Sequence, residues 1–123
     1  MKDINTLIDK YPTLLENLSF GIECGNGWFY LLDRLCEDII KIDGTCVATQ
    51  IKEKFGTLRF YCDAANDEVY DLIDNAEEES RSICEECGEP GQMTGTTWYK
   101  TLCQKCYHNF RIKYYKENKD YAN

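Results

Sequence analysis

The chain has 123 residues and a formal net charge of −8, from 22 acidic and 14 basic residues. This length suits one domain, and nine tyrosines, five phenylalanines and two tryptophans allow a real core. A general phosphate-backbone binder is usually basic overall, so the composition argues against nonspecific nucleic-acid binding. No stretch has the ~18 apolar residues of a membrane span, and the charged N-terminus lacks the apolar segment of a signal peptide. We therefore expect a cytoplasmic protein with reduced thiols and no membrane association.

The first third of the chain is predicted to be helical. A first helical face is formed by four apolar residues: Ile4, Leu7, Ile8 and Tyr11. Pro12 suits the first turn of a second short helix. A loop over residues 21–27, with Asn26 as a helix cap, then leads into a longer helix. The apolar stripe of that helix runs over residues 28–42, and Asp43-Gly44 is predicted to end it.

The hydrophobic period changes to two over residues 45–62, which predicts a β-hairpin with its turn at Phe55-Gly56. If Lys54 pairs with Thr57 across the turn, Ile51 faces Phe60 and Thr49 faces Cys62. These pairs form one apolar face of the hairpin.

The rest of the chain is predicted to be an acidic helix, a zinc module and a terminal helix. Asp67 is predicted to cap the acidic helix, which runs to residue 83 and directly into Cys84. A strand over residues 97–102 and a basic, aromatic helix over residues 107–121 follow. We therefore expect an α+β fold in which helices pack on a β-hairpin, with a small C-terminal zinc ribbon. The helical and hairpin core spans residues 1–83, and the zinc-ribbon module with the terminal helix spans residues 84–123 and packs on it.

Four cysteines have the spacing of a tetrahedral zinc site, C-x2-C-x15-C-x2-C: Cys84, Cys87, Cys103 and Cys106. Gly88 gives the first pair the backbone freedom to turn its amides toward the thiolates. Four thiolates leave no open position for water, so the spacing predicts structural Zn²⁺. The alternatives are four reduced cysteines without metal, two disulfides, or His108 in place of Cys106 as the fourth ligand.

The hairpin register brings two cations together. Lys52 faces Arg59, Gln50 faces Tyr61, and Lys54 lies next to the turn. Like charges directly opposite each other destabilise a strand pair, which suggests that a carboxylate or phosphate lies between them. We interpret Lys52, Lys54, Arg59 and Tyr61 as a candidate surface for an anionic ligand or an acidic partner. The structural alternative is an acidic helix over this face, with its carboxylates neutralising the cations: Asp71, Asp74 or Glu78.

The sequence offers little for catalysis. It has one histidine, His108, and no nucleophile, zinc-protease or phosphate-loop motif. The spacings of the remaining cysteines fit no metal template, and we expect them to be buried, inert thiols: Cys24, Cys36, Cys46 and Cys62. We therefore predict that the protein is not an enzyme.

Several runs together resemble a family of small proteins encoded by phages and prophages. They are Gly27-Trp28, IKEKFGTLRFY at the end of residues 47–61, Ser80, CEECGEPG and WYKTLC. The resemblance covers roughly residues 11–106, and its most specific motifs are KEKFG-LRFY and CE-CG…TLC. It implies a genomic context rather than an activity. Small acidic phage proteins without catalytic residues are often inhibitors of host systems, which is an argument by association.

The leading functional hypothesis is a non-enzymatic, phage-type binding protein. It would act as a counter-defence inhibitor that binds a host protein or sequesters an anionic signal. The alternative is a nucleic-acid-binding regulator that uses the zinc ribbon and the terminal helix. Charge distribution keeps that alternative open, because residues 91–123 carry six basic and two acidic residues whereas residues 63–90 carry eleven acidic residues and one basic residue.

Overall fold

The computed structural model describes residues 2–63 and 65–118, with side chains as far as residue 116. The described residues form a mixed α+β fold of five α-helices and two small β-sheets. The elements in chain order are α1 (Thr6–Lys10), α2 (Pro12–Leu15), β1 (Ile22–Glu23), α3 (Phe29–Ile42), β2 (Ala48–Lys54), β3 (Thr57–Cys62), α4 (Asp67–Ser80), β4 (Gln92–Thr94), β5 (Lys100–Leu102) and α5 (Gln104–Asn118). Within these residues no helix is long and apolar enough to cross a membrane.

The predicted helices of the first third are present. Pro12 occupies the first turn of α2, and α3 ends at Ile42 as predicted. The cap prediction for Asn26 was wrong: this residue lies in a 3-10 turn, Asn26–Trp28, and its side chain makes no cap hydrogen bond. The Asn26 side-chain oxygen instead accepts a hydrogen bond from the Ile4 backbone N–H. It therefore joins the N-terminus to the start of α3.

The first sheet has the order β1-β2-β3. The hairpin register is confirmed from Lys54 opposite Thr57 through Ile51 opposite Phe60 to Gln50 opposite Tyr61. The prediction that Thr49 faces Cys62 was wrong, because the ladder shifts by one residue and Ala48 faces Cys62. This bulge turns Ala48 into the core and leaves Thr49 exposed. Strand β1, which pairs in parallel with β2, was not predicted.

The turn of the β2–β3 hairpin contains two residues, as predicted. Phe55 and Gly56 both have positive φ, 54° and 80°, which is the geometry of a type I′ turn. Glycine adopts this conformation without strain, whereas phenylalanine rarely does. The Glu53 carboxylate accepts a hydrogen bond from the Gly56 N–H at 2.7 Å, and this contact holds the turn closed.

Helix α4 covers the free edge of β3. The Ser80 hydroxyl accepts a hydrogen bond from the Leu58 N–H at 3.0 Å, and the Glu77 carboxylate accepts one from the Phe60 N–H at 2.9 Å. Both N–H groups would otherwise lie unpaired at a sheet edge. The cap of α4 was also predicted wrongly: Asn66 accepts the hydrogen bond from the Val69 N–H, and Asp67 is the first residue of the helix.

The core lies between α1, α3, α4 and the first sheet, and Trp28 is fully buried in it. Helices α3 and α4 pack against each other, and α4 packs on β3. The second sheet pairs β4 with β5, and α5 packs on β5. Strand β5 lies at the end of the predicted 97–102 segment, while β4 was not predicted. The predicted extension of the terminal helix to Tyr121 falls outside the described residues.

Candidate metal centre

The first cysteine pair lies in a tight turn that is closed by an isolated antiparallel bridge between Ile83 and Pro90. The Cys84 N–H donates to the Glu89 carbonyl at 2.7 Å, and the Gly88 N–H donates to the Cys84 carbonyl at 2.9 Å. Gly88 has a φ of 82°, a left-handed conformation that glycine adopts without strain. This agrees with the backbone freedom predicted for Gly88 from the sequence. This segment is therefore a tight turn, called the knuckle below, that brings the Cys84 and Cys87 thiols close together.

The second cysteine pair lies at the start of α5. Cys103 immediately precedes the helix, and Cys106 is in its first turn. The Cys106 N–H donates to the Cys103 sulfur at 3.4 Å, and the Tyr107 N–H donates to the Cys103 carbonyl at 2.9 Å. The order of elements is thus knuckle, hairpin and helix. A zinc ribbon, as predicted from the spacing, would instead place the second pair in another β-turn.

All four sulfurs lie within 4.8 Å of one another, and the Cys87 and Cys103 sulfurs are 3.7 Å apart. Zn–S bonds of about 2.3 Å in a tetrahedron place the sulfurs about 3.8 Å apart, so the cluster has the size of a Zn(Cys)₄ site. The thiols are free rather than joined as disulfides. His108 is exposed on α5 and is outside the cluster, so these four cysteines are the ligand set that could hold a metal ion.

A backbone amide and burial shift the pKa values of two thiols of the cluster. The Cys106 N–H that points at Cys103 is the main reason why the pKa of the Cys103 thiol falls to about 7, and thiol neighbours add to the effect. Burial raises the pKa of the Cys106 thiol. A metal ion binds cysteine as the thiolate, so the amide at Cys103 favours the form that binds.

Glu85, between the two cysteines of the knuckle, joins the module to the N-terminal core. Its backbone carbonyl accepts a hydrogen bond from the Gly27 N–H at 2.7 Å, and its carboxylate accepts one from the Gly25 N–H at 2.9 Å. Lys100 lies 3.6 Å from the other carboxylate oxygen, and burial raises the pKa of Glu85. Glu85 was not predicted as a contact residue, because the sequence does not distinguish a buried glutamate from the exposed acidic residues around it. Gly25 and Gly27 could have indicated this contact, since glycines allow another segment of backbone to approach closely.

Two further contacts hold the module, and the residue just before it, against the rest of the core. The indole N–H of Trp28 donates to the Ile83 carbonyl at 2.9 Å. The buried Thr101 hydroxyl donates to the Gly56 carbonyl at 2.6 Å, at the turn of the β2–β3 hairpin. The glycine of KEKFG therefore lies against the threonine of TLC. The two most specific motifs of the sequence meet at one interface.

The candidate ligand surface lies on the outer face of the first sheet. Lys52 and Arg59 face each other as predicted, and Glu23 is the neighbour of Lys52 on β1. The Nε of Arg59 is buried and has no hydrogen-bond partner. Lys54 and Tyr61 are exposed. The structure therefore brings the four predicted residues to one face.

Helix α4 contributes an acidic group beside this face, as the structural alternative supposes. The group that reaches the hairpin is Glu77, rather than Asp71, Asp74 or Glu78. Burial raises the pKa of Glu77, and the Phe60 N–H and the charge of Arg59 oppose that rise. The two cations thus have one carboxylate neighbour on β1 and another on α4.

The other cysteines are mostly buried, as predicted. Cys36, Cys46 and Cys62 are buried in the core, and Cys24 is half-buried. Burial is the main cause of the rise in pKa of the Cys36 and Cys62 thiols, each to about 12. Such thiols are poor nucleophiles at neutral pH.

No protein-family model matches the chain, and neither a curated protein nor a solved structure matches it significantly. The predicted kinship with phage proteins has no support from these comparisons.

Proposed function

We propose that this chain is a non-enzymatic binding protein whose C-terminal module is held together by a structural Zn²⁺. Four cysteine sulfurs at tetrahedral spacing support the metal assignment. With four thiolate ligands the ion has no open position for water or substrate, so its contribution is to folding. The order knuckle, hairpin and helix is that of a treble-clef zinc finger. The metal would fix the start of α5 against the turn that holds Cys84 and Cys87.

The binding surface that we propose is the hairpin face with Lys52, Lys54, Arg59 and Tyr61. The observation that carries it is the buried Arg59 Nε without a hydrogen-bond partner. A guanidinium N–H donor that is withdrawn from water and unpaired costs free energy. In the proposal, the Arg59 side chain turns outward on binding and the Nε pairs with a carboxylate or phosphate of the ligand. Lys52 directly opposite would add a second positive charge to the same ligand.

The ligand in this proposal is an acidic surface of a host protein or an anionic small molecule. Resemblance to phage and prophage proteins motivates the more specific hypothesis of a counter-defence inhibitor that binds or sequesters it. This hypothesis makes no use of acid–base or nucleophilic chemistry in the protein.

The test is a pull-down from host lysate, followed by mass spectrometry of the proteins and small molecules retained. The variant is Lys52→Ala/Arg59→Ala. Its control is Arg34→Ala/Lys41→Ala, which also removes one arginine and one lysine, here from exposed α3 side chains that pair with Glu79 of α4 and Glu37 of α3. We expect the hairpin variant to lose a ligand that the wild type and the control both retain. Equal retention by all three proteins would contradict the proposal.

A second candidate function is nucleic-acid binding, favoured by the basic and aromatic surface of α5. Duplex DNA is expected to bind weakly at physiological salt because the chain carries a net charge of −8. Submicromolar duplex binding with a steep salt dependence, lost in Arg111→Ala/Lys113→Ala, would place the regulator hypothesis ahead of the inhibitor hypothesis.

A further inference from the structure

Two adjoining clefts lie between the β4–β5 hairpin and α5. The larger has a volume of about 600 Å³ and is lined by Met93, Tyr107 and His108, among others. The smaller has a volume of about 300 Å³ and is lined by Trp98 and Tyr115, among others. Both clefts share Gly95, Tyr107 and Arg111, so together they form one open groove along the helix.

Arg111 lies at the junction of the two clefts. Its guanidinium carbon is 5.8 Å from the centroid of the Tyr107 ring and 5.8 Å from that of the Tyr115 ring. Contacts with two aromatic rings orient the guanidinium plane, and a hydrogen bond to the Tyr115 hydroxyl is the main cause of a raised pKa of Arg111. The remaining N–H donors of the guanidinium can bind an anion. Arg111 is itself exposed. The two rings therefore hold the positive charge of Arg111 in a defined position at the surface of the groove.

The groove also presents aromatic faces to solvent. The Trp98 and Phe110 rings meet edge to face with centroids 5.4 Å apart, and Trp98 remains 59% exposed. Tyr115 is 57% exposed. Single exposed aromatic side chains are common, but several that adjoin one another in a groove mark an interaction surface. Flat, exposed rings at intervals along a groove suit successive unstacked bases.

Charge favours an anionic occupant. Residues 91–116 contain five basic residues and no acidic residue. The exposed acids of α4 lie on another element and would repel a polyanion from the remainder of the surface. In the groove itself the cation is Arg111. A cation beside exposed aromatic rings is the pair of features that binds single-stranded nucleic acid, whereas a duplex keeps its base faces stacked and out of reach.

We propose that the groove between the β4–β5 hairpin and α5 binds single-stranded nucleic acid, with Arg111 on a phosphate and with Trp98 and Tyr115 stacking on bases. The site is separate from the Lys52 and Arg59 surface. It rests on the second candidate function and narrows the ligand of that function to single strands.

The test is fluorescence anisotropy with a labelled oligothymidine and a labelled oligouridine of about 20 nucleotides, beside a duplex of equal length. We expect the single strands to bind at least about tenfold more tightly than the duplex. The logarithm of their affinity should fall linearly with the logarithm of salt concentration, by about 0.7 per phosphate contacted. Arg111→Ala and Tyr115→Ala should each weaken binding by about 5- to 100-fold.

Matched controls come from α3. Lys41→Ala removes an exposed cation, and Tyr30→Ala removes a tyrosine ring that is 70% exposed. Both should bind like the wild type. Zinc content and melting temperature of every variant check that the module is intact.

Three results would overturn the proposal. One is affinity weaker than about 100 μM at about 50 mM salt for every strand. Another is equal loss of binding in the groove variants and the α3 controls. The third is a dimer by sedimentation that Tyr115→Ala disrupts while no strand binds, because a second copy would then occupy the groove. The Lys52→Ala/Arg59→Ala variant should bind single strands as the wild type does. If no strand binds, the groove proposal is wrong, and the hairpin surface is still tested separately by the pull-down.

Discussion

The core and the zinc module are stabilised in different ways. In the core, α4 buries Val69, Ile73 and Ala76 against neighbouring elements. In the described part of α5, by contrast, no side chain is buried. The first region is held by apolar packing, whereas the second depends on its cysteine cluster and on contacts with the core. In our proposal, a metal ion in the cysteine cluster would substitute for a hydrophobic core that the module is too small to build.

The two regions are nevertheless joined by specific hydrogen bonds. Glu85 binds the loop around Gly25 and Gly27, and Thr101 binds the hairpin turn at Gly56. Loss of metal is therefore expected to release contacts on two sides of the core.

The largest effect is expected from loss of a zinc ligand. Cys87→Ser should lower zinc content and solubility, because structural zinc supplies on the order of 10 kcal/mol of apparent binding energy that is also folding energy. Hydrogen exchange should rise over residues 84–118 and change much less in α3. Cys46→Ala, which removes a cysteine outside the cluster, is the control and should keep its zinc. Normal zinc content in Cys87→Ser would contradict the ligand assignment.

Gly27→Ala should break the interface between core and module. A Cβ at this position would lie 2.2 Å from the Cys84 carbonyl oxygen, which is backbone and cannot move alone. We expect a loss of about 3 kcal/mol in the free energy of unfolding, measured by chemical denaturation. Gly44→Ala is the control, because the nearest atom to its Cβ is 3.9 Å away. Equal stability of the two variants would show that the backbone at Gly27 does not pack closely against the Cys84 carbonyl.

Ser80→Ala tests the edge of the core. It removes the acceptor of the Leu58 N–H in a fully buried position, so that N–H is left unpaired. The expected loss is about 2 kcal/mol in the free energy of unfolding. Ser82→Ala, which removes an exposed hydroxyl two residues later, should change stability by less than about 0.5 kcal/mol. A neutral Ser80→Ala would mean that another group satisfies the strand edge.

The smallest effect on stability is expected at the hairpin cations. Lys52→Ala and Arg59→Ala should leave the melting temperature nearly unchanged, or raise it, while ligand binding falls. The reason is that like charges oppose each other across the strands. If Glu23 and Glu77 instead neutralise them, both substitutions should lower the melting temperature by similar amounts with no specific loss of binding. Thermal melts beside the binding assay distinguish these outcomes.

Local rules predicted much of the fold. The position of the turn at Phe55-Gly56 and the hairpin register up to Gln50 follow from the alternating pattern, and the spacing of the cysteines predicted the cluster. Features set by distant contacts were missed. The bulge at Thr49 leaves no mark in an alternating pattern, and β1 is two residues long and pairs across 29 positions of sequence, from Ile22 to Ile51.

The missed features of the site have the same origin. Glu85 and Ser80 function through backbone partners far away in sequence, so residue type alone does not identify them. The zinc ribbon was predicted from spacing, which is the same whether the second pair lies in a turn or at the start of a helix. Only the position of α5 relative to Cys103 distinguishes the two.

The central claim is that four thiolates hold one zinc ion at the start of α5. X-ray absorption at the zinc edge, with elemental analysis of the same sample, tests it most directly. If the four cysteines are the ligands, the sample contains one zinc per chain, with four sulfur neighbours at about 2.3 Å and no nitrogen or oxygen neighbour. Absence of zinc, or a coordination shell that contains nitrogen or oxygen, would contradict it.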